Sequence, residues 1–344
     1  MDVEYGVVSP LALLVSYDET IAALERDLDA LAAGDRASLD FYLLELGAST
    51  DRILGALSRA AQRGARVALS VDATMASRLS RLWEGTGTLL PSALALAAAQ
   101  PDRFRVIARH VPDHSKVAIF RPRAGTPSAL FGGINLGDRF RSWRDCMVRV
   151  EGSTLVDDLV ARRRGEAASA SSTATFVVNA PEASVFEIWK AFLALVNDHR
   201  LVRFRVAMAY LDLAGVEVLR RVLARGASLD LILPARANVY HDANMRALAS
   251  LMTAGPVRAL GCRDMMHAKI LLAWDAAGAA TTFLGSANLK RNSFRTFGEL
   301  NILTTDRELT AAVERIMDSI ASASDPILTP RYRSTVAAIE ERLG

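Results

Sequence analysis

Two short patterns carry the chemistry of this sequence. His114-Ser115-Lys116 leads into the apolar run Val117-Ala118-Ile119-Phe120, and Gly132-Gly133-Ile134-Asn135 follows. His267-Ala268-Lys269 leads into Ile270-Leu271-Leu272, and Gly285-Ser286-Ala287-Asn288 follows. The His-to-Asn spacing is 21 residues in both copies. In an extended segment residues i and i+2 share a face, so each His and Lys look into one pocket while Ser115 and Ala268 look away. A glycine-rich turn lets backbone approach an anion closely, which marks Gly133 and Ser286 as phosphate-binding positions. Asn135 and Asn288 add a neutral donor beside it. Two copies facing each other supply two imidazoles, as phosphodiester exchange requires. One attacks phosphorus and forms a covalent phosphohistidine. The other protonates the leaving oxygen, then deprotonates the incoming alcohol or water. Lysines and asparagines stabilise charge on the non-bridging oxygens. This chemistry needs neither a metal nor a cofactor.

The elements that position these residues recur in the same order in each half. Leu24, Leu28 and Leu31 predict a helix after a short entry segment. A strand is expected over 38–46, then a helix capped by Ser49 or Thr50 and ended by Gly64, then a strand over 66–72. Strand-helix-strand order implies a right-handed crossover onto a parallel neighbour. Residues 73–100 suggest two further helices. A helix packed on the sheet is the simpler account of them, and a lipid-facing flap near the site the functional one. A strand over 104–108 then leads into the first His-Lys unit. In the second half, a strand over 202–210, a helix ended by Gly226, a strand over 229–234, a helix over 243–251 and a strand over 257–260 lead into the second unit. A helix is expected over 309–320 and a short one after Pro330. The Ala- and Ser-rich stretch 166–174 reads as a linker between domains 1–165 and 175–344. Arg162-Arg163-Arg164, just before it, reads as a solvated helix end. The repeat implies an α/β fold of two pseudo-symmetric α-β-α sandwich domains, with the active site at their interface.

Composition narrows the partners. A net charge of +3 suits an anionic substrate but is far from the dense basicity of a dedicated nucleic-acid binder. Cys146 and Cys262 fall in no zinc-ligand spacing and in no disulfide framework, so a cytoplasmic setting is expected. The start, Met1-Asp2-Val3-Glu4-Tyr5, is acidic rather than signal-like, and the longest apolar run, 89–99, is too short to span a bilayer. Membrane contact, if the substrate requires it, would be peripheral on the inner membrane.

These features resemble the phospholipase D superfamily, the HKD enzymes, and more narrowly its bacterial cardiolipin synthase-like branch. The resemblance rests on His114/Lys116/Asn135, His267/Lys269/Asn288, the paired Arg-Gly-Ala helix ends at 63–65 and 225–227, and the stretches 132–140, 143–145 and 285–293 with Glu299. It implies the phosphohistidine mechanism, with His114 as nucleophile and His267 as general acid/base. It also puts Asp145 and Glu299 behind the histidines, where they would fix the tautomer and favour the imidazolium. The family's Asp five residues after each Lys is replaced here by Arg121 and Trp274.

Three functions compete. The first is an enzyme on phospholipids, transferring a phosphatidyl group to an alcohol acceptor or to water. The second is a metal-independent nuclease or nucleic-acid phosphodiesterase, which weak basicity and the lack of aromatic-basic interleaving disfavour. The third, a non-catalytic adaptor, is disfavoured because both motifs are intact. His110, His199 and His241 lack Lys and Asn partners and read as core histidines.

Overall fold

The computed structural model describes residues 9–72, 90–167 and 174–343. The acidic start, most of the expected linker and the stretch 73–89 of the expected flap lie outside them.

The first half runs β1 (Leu11–Leu14), α1 (Tyr17–Asp29), β2 (Arg36–Phe41), α2 (Ala48–Gln62), β3 (Arg66–Asp72), α3 (Leu90–Ala99), β4 (Phe104–Arg109), β5 (Val117–Arg121), β6 (Ser128–Gly132), β7 (Met147–Glu151) and α4 (Ser153–Arg163). Its strands form one sheet in the order β1-β7-β6-β5-β2-β3-β4. The expected crossover is present: β2, β3 and β4 pair in parallel. The second half runs β8 (Ala174–Ala180), β9 (Val185–Phe186), α5 (Ile188–Asn197), β10 (Leu201–Met208), α6 (Leu213–Ala224), β11 (Ser228–Pro234), α7 (His241–Met252), β12 (Arg258–Cys262), β13 (Lys269–Asp275), β14 (Ala280–Gly285), α8 (Arg291–Arg295), β15 (Glu299–Thr304), α9 (Arg307–Ser322), β16 (Ser324–Pro326) and α10 (Ser334–Leu343). Its sheet order is β16-β12-β11-β10-β13-β14-β15-β8-β9.

Alternation along the strands explains the layering. Val117 and Ile119 of β5 point into a core shared by both sheets, while Ala118 and Phe120 face α1 and α2. Ile270 and Leu272 of β13 enter the shared core, while Leu271 and Ala273 face α5, α6 and α7. Both runs are apolar on two faces because both faces are covered. The sheets meet through contacts such as Phe131 against Phe176, edge-on with ring centroids 5.8 Å apart. The molecule is therefore two sheets back to back, with α4 and α9 packed into the shared core between them and the other helices outside, each half an α/β sandwich.

Four local expectations change. The entry segment holds a strand: β1 extends the first sheet antiparallel to β7. The α2 cap is not Ser49 or Thr50, which lie inside the helix; Asp138 accepts from the backbone N–H of Ala48 and Ser49 instead. His110 and His199 are exposed, and His241 is half-buried, so none is a core histidine. The arginine run is not simply solvated. Arg162 is buried against Glu187, Arg163 reaches Asp40 at 2.7 Å, and only Arg164 is exposed.

Candidate active site

Each histidine sits just before the strand that its motif opens, at the edge where the two halves meet. The halves lock there by reciprocal backbone bonds. His114 N–H donates to Gly298 C=O and Gly298 N–H to Pro112 C=O, at 2.8 and 2.9 Å. His267 N–H donates to Arg144 C=O and Arg144 N–H to Met265 C=O, again at 2.8 and 2.9 Å. The residue after Gly298 is Glu299, and the residue after Arg144 is Asp145. Each lock therefore delivers a carboxylate to the other half's histidine. His114 Nδ1 lies 3.1 Å from Glu299 Oε2, and His267 Nδ1 lies 2.7 Å from Asp145 Oδ2. All four side chains are buried.

A carboxylate can only accept, so each neutral ring carries its proton on Nδ1 and keeps its lone pair on Nε2. The Lys116 ammonium donates to the carbonyl of His114, and the Lys269 ammonium to that of His267. Lys269 Nζ also stands 3.1 Å from His267 Nε2 and 2.8 Å from Nδ1. Asn135 Oδ1 accepts from Leu43 N–H at 3.1 Å, and Asn288 Oδ1 from Tyr210 N–H at 3.2 Å. The Nδ2 of Asn288 is buried with no partner among the described residues.

The two predicted phosphate positions both touch the carboxylates. A Cβ on Gly133 would stand 2.2 Å from Asp145 Oδ1, so only glycine leaves room for that group. Ser286, the matching residue, donates its hydroxyl to Glu299 Oε2 at 2.5 Å.

Sequence reasoning missed an aromatic wall. Tyr42 meets the His114 ring edge-on at 4.7 Å, and Phe297 stacks on it at 6.1 Å. Trp143 and Tyr210 flank His267 at 5.1 and 5.7 Å. Trp143 and Phe297 each stand two residues before the carboxylate on the ring that they cover, a pairing visible in the sequence once the repeat is aligned. Lys290 is a third buried ammonium, 4.7 Å from the Tyr240 ring centroid and 5.3 Å from that of Phe297.

Burial dominates the electrostatics. It drives His114 well below the ordinary imidazole range, aided by the ammonium groups of Lys116, Lys269 and Lys290. Burial, then Lys269, takes His267 down to about 4, against the pull of its Asp145 bond. Lys116 falls to about 7, and Lys269 and Lys290 to about 8, burial again first. Burial raises Glu299, with Lys116 opposing. Asp145 does favour imidazolium on His267, as expected, but other forces outweigh it. Lost hydration and clustered ammoniums outweigh one carboxylate per ring, so both rings are neutral near pH 7.

Residues 201–321 match the family model described as cardiolipin synthase, PLD-like domain. A sequence comparison with curated proteins finds no match. Phosphatidylserine synthase of Haemophilus influenzae Rd KW20 superposes with a TM-score of 0.71 over 97% of this chain and 92% of that one, at 14% identity. Polyphosphate kinase of Porphyromonas gingivalis gives 0.63 at 16% identity over 97% of this chain, which spans only 52% of that chain. A mutant of yeast tyrosyl-DNA phosphodiesterase gives 0.54 at 11% identity, over 87% of this chain and 89% of that one. At such identities the superpositions show the fold. Residues 201–321 therefore carry a phospholipase D-like domain, and the chain as a whole has the fold of these neighbours.

Proposed function

We propose that this chain is a phospholipase D-type phosphatidyltransferase or phosphodiesterase acting on phospholipids, cardiolipin synthase-like, through a covalent phosphohistidine. The observation that carries this reading is the crossed pairing of His114 with Glu299 and His267 with Asp145. It leaves two Nε2 atoms unprotonated in one site rich in ammonium groups.

His114 is the nucleophile: its neutral Nε2 lone pair attacks phosphorus, and the P–O bond to the leaving alcohol breaks. His267 is the general acid/base, with Lys269 as the proton donor beside its Nε2. A phosphodiester anion between the lysines raises the basicity of both rings, so His267 can hold the proton that it passes to the leaving oxygen. It then takes a proton from water or an acceptor alcohol, which attacks the phosphohistidine and frees His114. Lys116, Lys269 and the amide Nδ2 of Asn288 bind the non-bridging oxygens, and Asn135 supports the same pocket. Gly133 and Ser286 act through the carboxylates that they seat. The two domains are taken as 1–165 and 175–344, joined by 166–174.

The lipid side of the reading is supported by the match of residues 201–321 to the domain described as cardiolipin synthase, PLD-like. Such a substrate would be met by peripheral contact with the inner membrane. No helix among the described residues is long and apolar enough to cross a membrane. The test is mass spectrometry of products from mixed phospholipids, with and without glycerol. Phosphatidic acid or a glycerol-exchanged lipid is the expected product. Cleavage of single-stranded DNA with no lipid turnover would replace this reading with the nuclease one.

A further inference from the structure

The pseudo-symmetry breaks at one place. In the second half α9 crosses the inner face of β10–β13. Trp274 Nε1 donates to Glu314 at 2.8 Å, Arg205 pairs with Asp318, and Met317 and Ile320 pack into the shared core. Its counterpart α4 has 11 residues against 16. It is therefore about 7.5 Å shorter, roughly one and a half strand spacings. Arg121 on β5 still meets α4, through Asp157 at 2.6 Å. Beyond that, no described residue covers the inner faces of β2, β3 and β4, which line a groove of about 1300 Å³.

The side chains left there include apolar ones such as Ile107 and Ile119, but arginines mark one edge. Arg121, Arg36 and Arg66 are direct cross-strand neighbours on β5, β2 and β3. The matching trio in the second half is Trp274, Arg203 and Ser228, with Arg203 stacked 3.9 Å over the Trp274 ring. Like charges directly opposite each other destabilise a sheet. Arg36 and Arg66 make no ion pair among the described residues, and both are exposed. Arg103, Arg105 and Arg164 line the same groove. Its acids are Asp102, Asp113, Glu182 and Glu299, of which Asp113 already faces Arg109 and Arg163.

We propose that this groove is a second anion site, separate from the catalytic histidines, that holds an oligophosphate chain. Arg121 already has Asp157, but Arg36 and Arg66 repel each other with no carboxylate between them among the described residues; an anion laid across them offsets that repulsion, and planar guanidiniums match phosphate oxygens in pairs. No Phe, Tyr or Trp among the described residues lines the groove, so those residues offer no platform for stacking bases. Its concavity does not fit a flat bilayer. The inference does not depend on the catalytic reading.

The test is calorimetric titration of the full chain with tripolyphosphate. Wild type is expected to bind saturably, and more weakly as salt is raised. R36Q/R66Q is expected to bind at least about tenfold more weakly, since each guanidinium supplies charge-assisted hydrogen bonds. Its melting temperature should not fall, because repulsion is removed. His267→Ala should bind like wild type, which separates the groove from the catalytic pocket. Absence of saturable binding, or equal binding by R36Q/R66Q, overturns the proposal. So does tighter binding of a single-stranded oligonucleotide, or of anionic vesicles, through the same arginines.

Discussion

Replacing Asp145 by Asn tests the crossed pairing most directly. Asn keeps the size and one acceptor oxygen but removes the charge facing His267 Nδ1 at 2.7 Å. A hydrogen bond to a charged group is worth about 1.5–3 kcal/mol and a neutral one about 0.5–1.5, so the variant should lose about 1–2 kcal/mol of stability. The same charge holds up the basicity of both His267 and Lys269, so each should become harder to protonate. A general acid weakened in this way should cost on the order of a hundredfold in kcat. Urea unfolding of Asp145→Asn, His267→Ala, His114→Ala and the two double variants separates the contacts. A coupling energy of about 1 kcal/mol or more is expected for Asp145 with His267, and near zero, within about 0.5, for Asp145 with His114. Coupling of Asp145 to His114 in place of His267 would refute the crossed arrangement, and the mechanism built on it.

Five further outcomes follow from the same geometry. His114→Ala and His267→Ala should each abolish turnover of a phospholipid; with a nitrophenyl phosphodiester, whose leaving group needs no proton, base-quenched His267→Ala should accumulate phosphohistidine on His114 in peptide mass spectra. Lys116→Ala and Lys269→Ala should each lower kcat by about a hundredfold or more through lost oxyanion stabilisation, read by steady-state kinetics on a soluble phosphodiester. Inhibition by inorganic phosphate should weaken as pH rises from 7 past 8, because Lys116 and Lys269 shed their protons near about 7 and about 8; a flat profile counts against ammonium binding. His267 is neutral in the fold down to about 4, below its ordinary 6.5. Its contribution, up to about 3 kcal/mol, is therefore intact above pH 6.5 and lost as pH falls from 6.5 toward 4, as acid-dependent urea midpoints would show. Chelator should leave turnover unchanged, and strict dependence on a divalent metal contradicts the phosphohistidine route.

Most of the architecture was legible because the repeat was. Apolar alternation after Lys116 and Lys269 marks strands covered on both faces, and Gly64 and Gly226 mark helix ends at matching places. Where reading along the chain failed, the cause was non-local. The α2 cap comes from Asp138, ninety residues on in the chain. The four-residue β1 carries too little pattern of its own and is a strand because β7 offers it an edge. His110 and His199 have no sequence signal that separates an exposed imidazole from a buried one.

The same division runs through the site. By itself the sequence determined the chemistry available, two His-Lys-Asn sets at one spacing, because residue type and period are local properties; Asp145 and Glu299 entered only through the family resemblance. Only the tertiary structure decided that each carboxylate serves the opposite half's histidine, since that depends on how two backbone locks register across the interface. It also decided the charge state. Burial beside several ammonium groups strips both imidazoles of the proton that a carboxylate alone would have held, because the cost of desolvating a cation grows with every layer of protein closed around it.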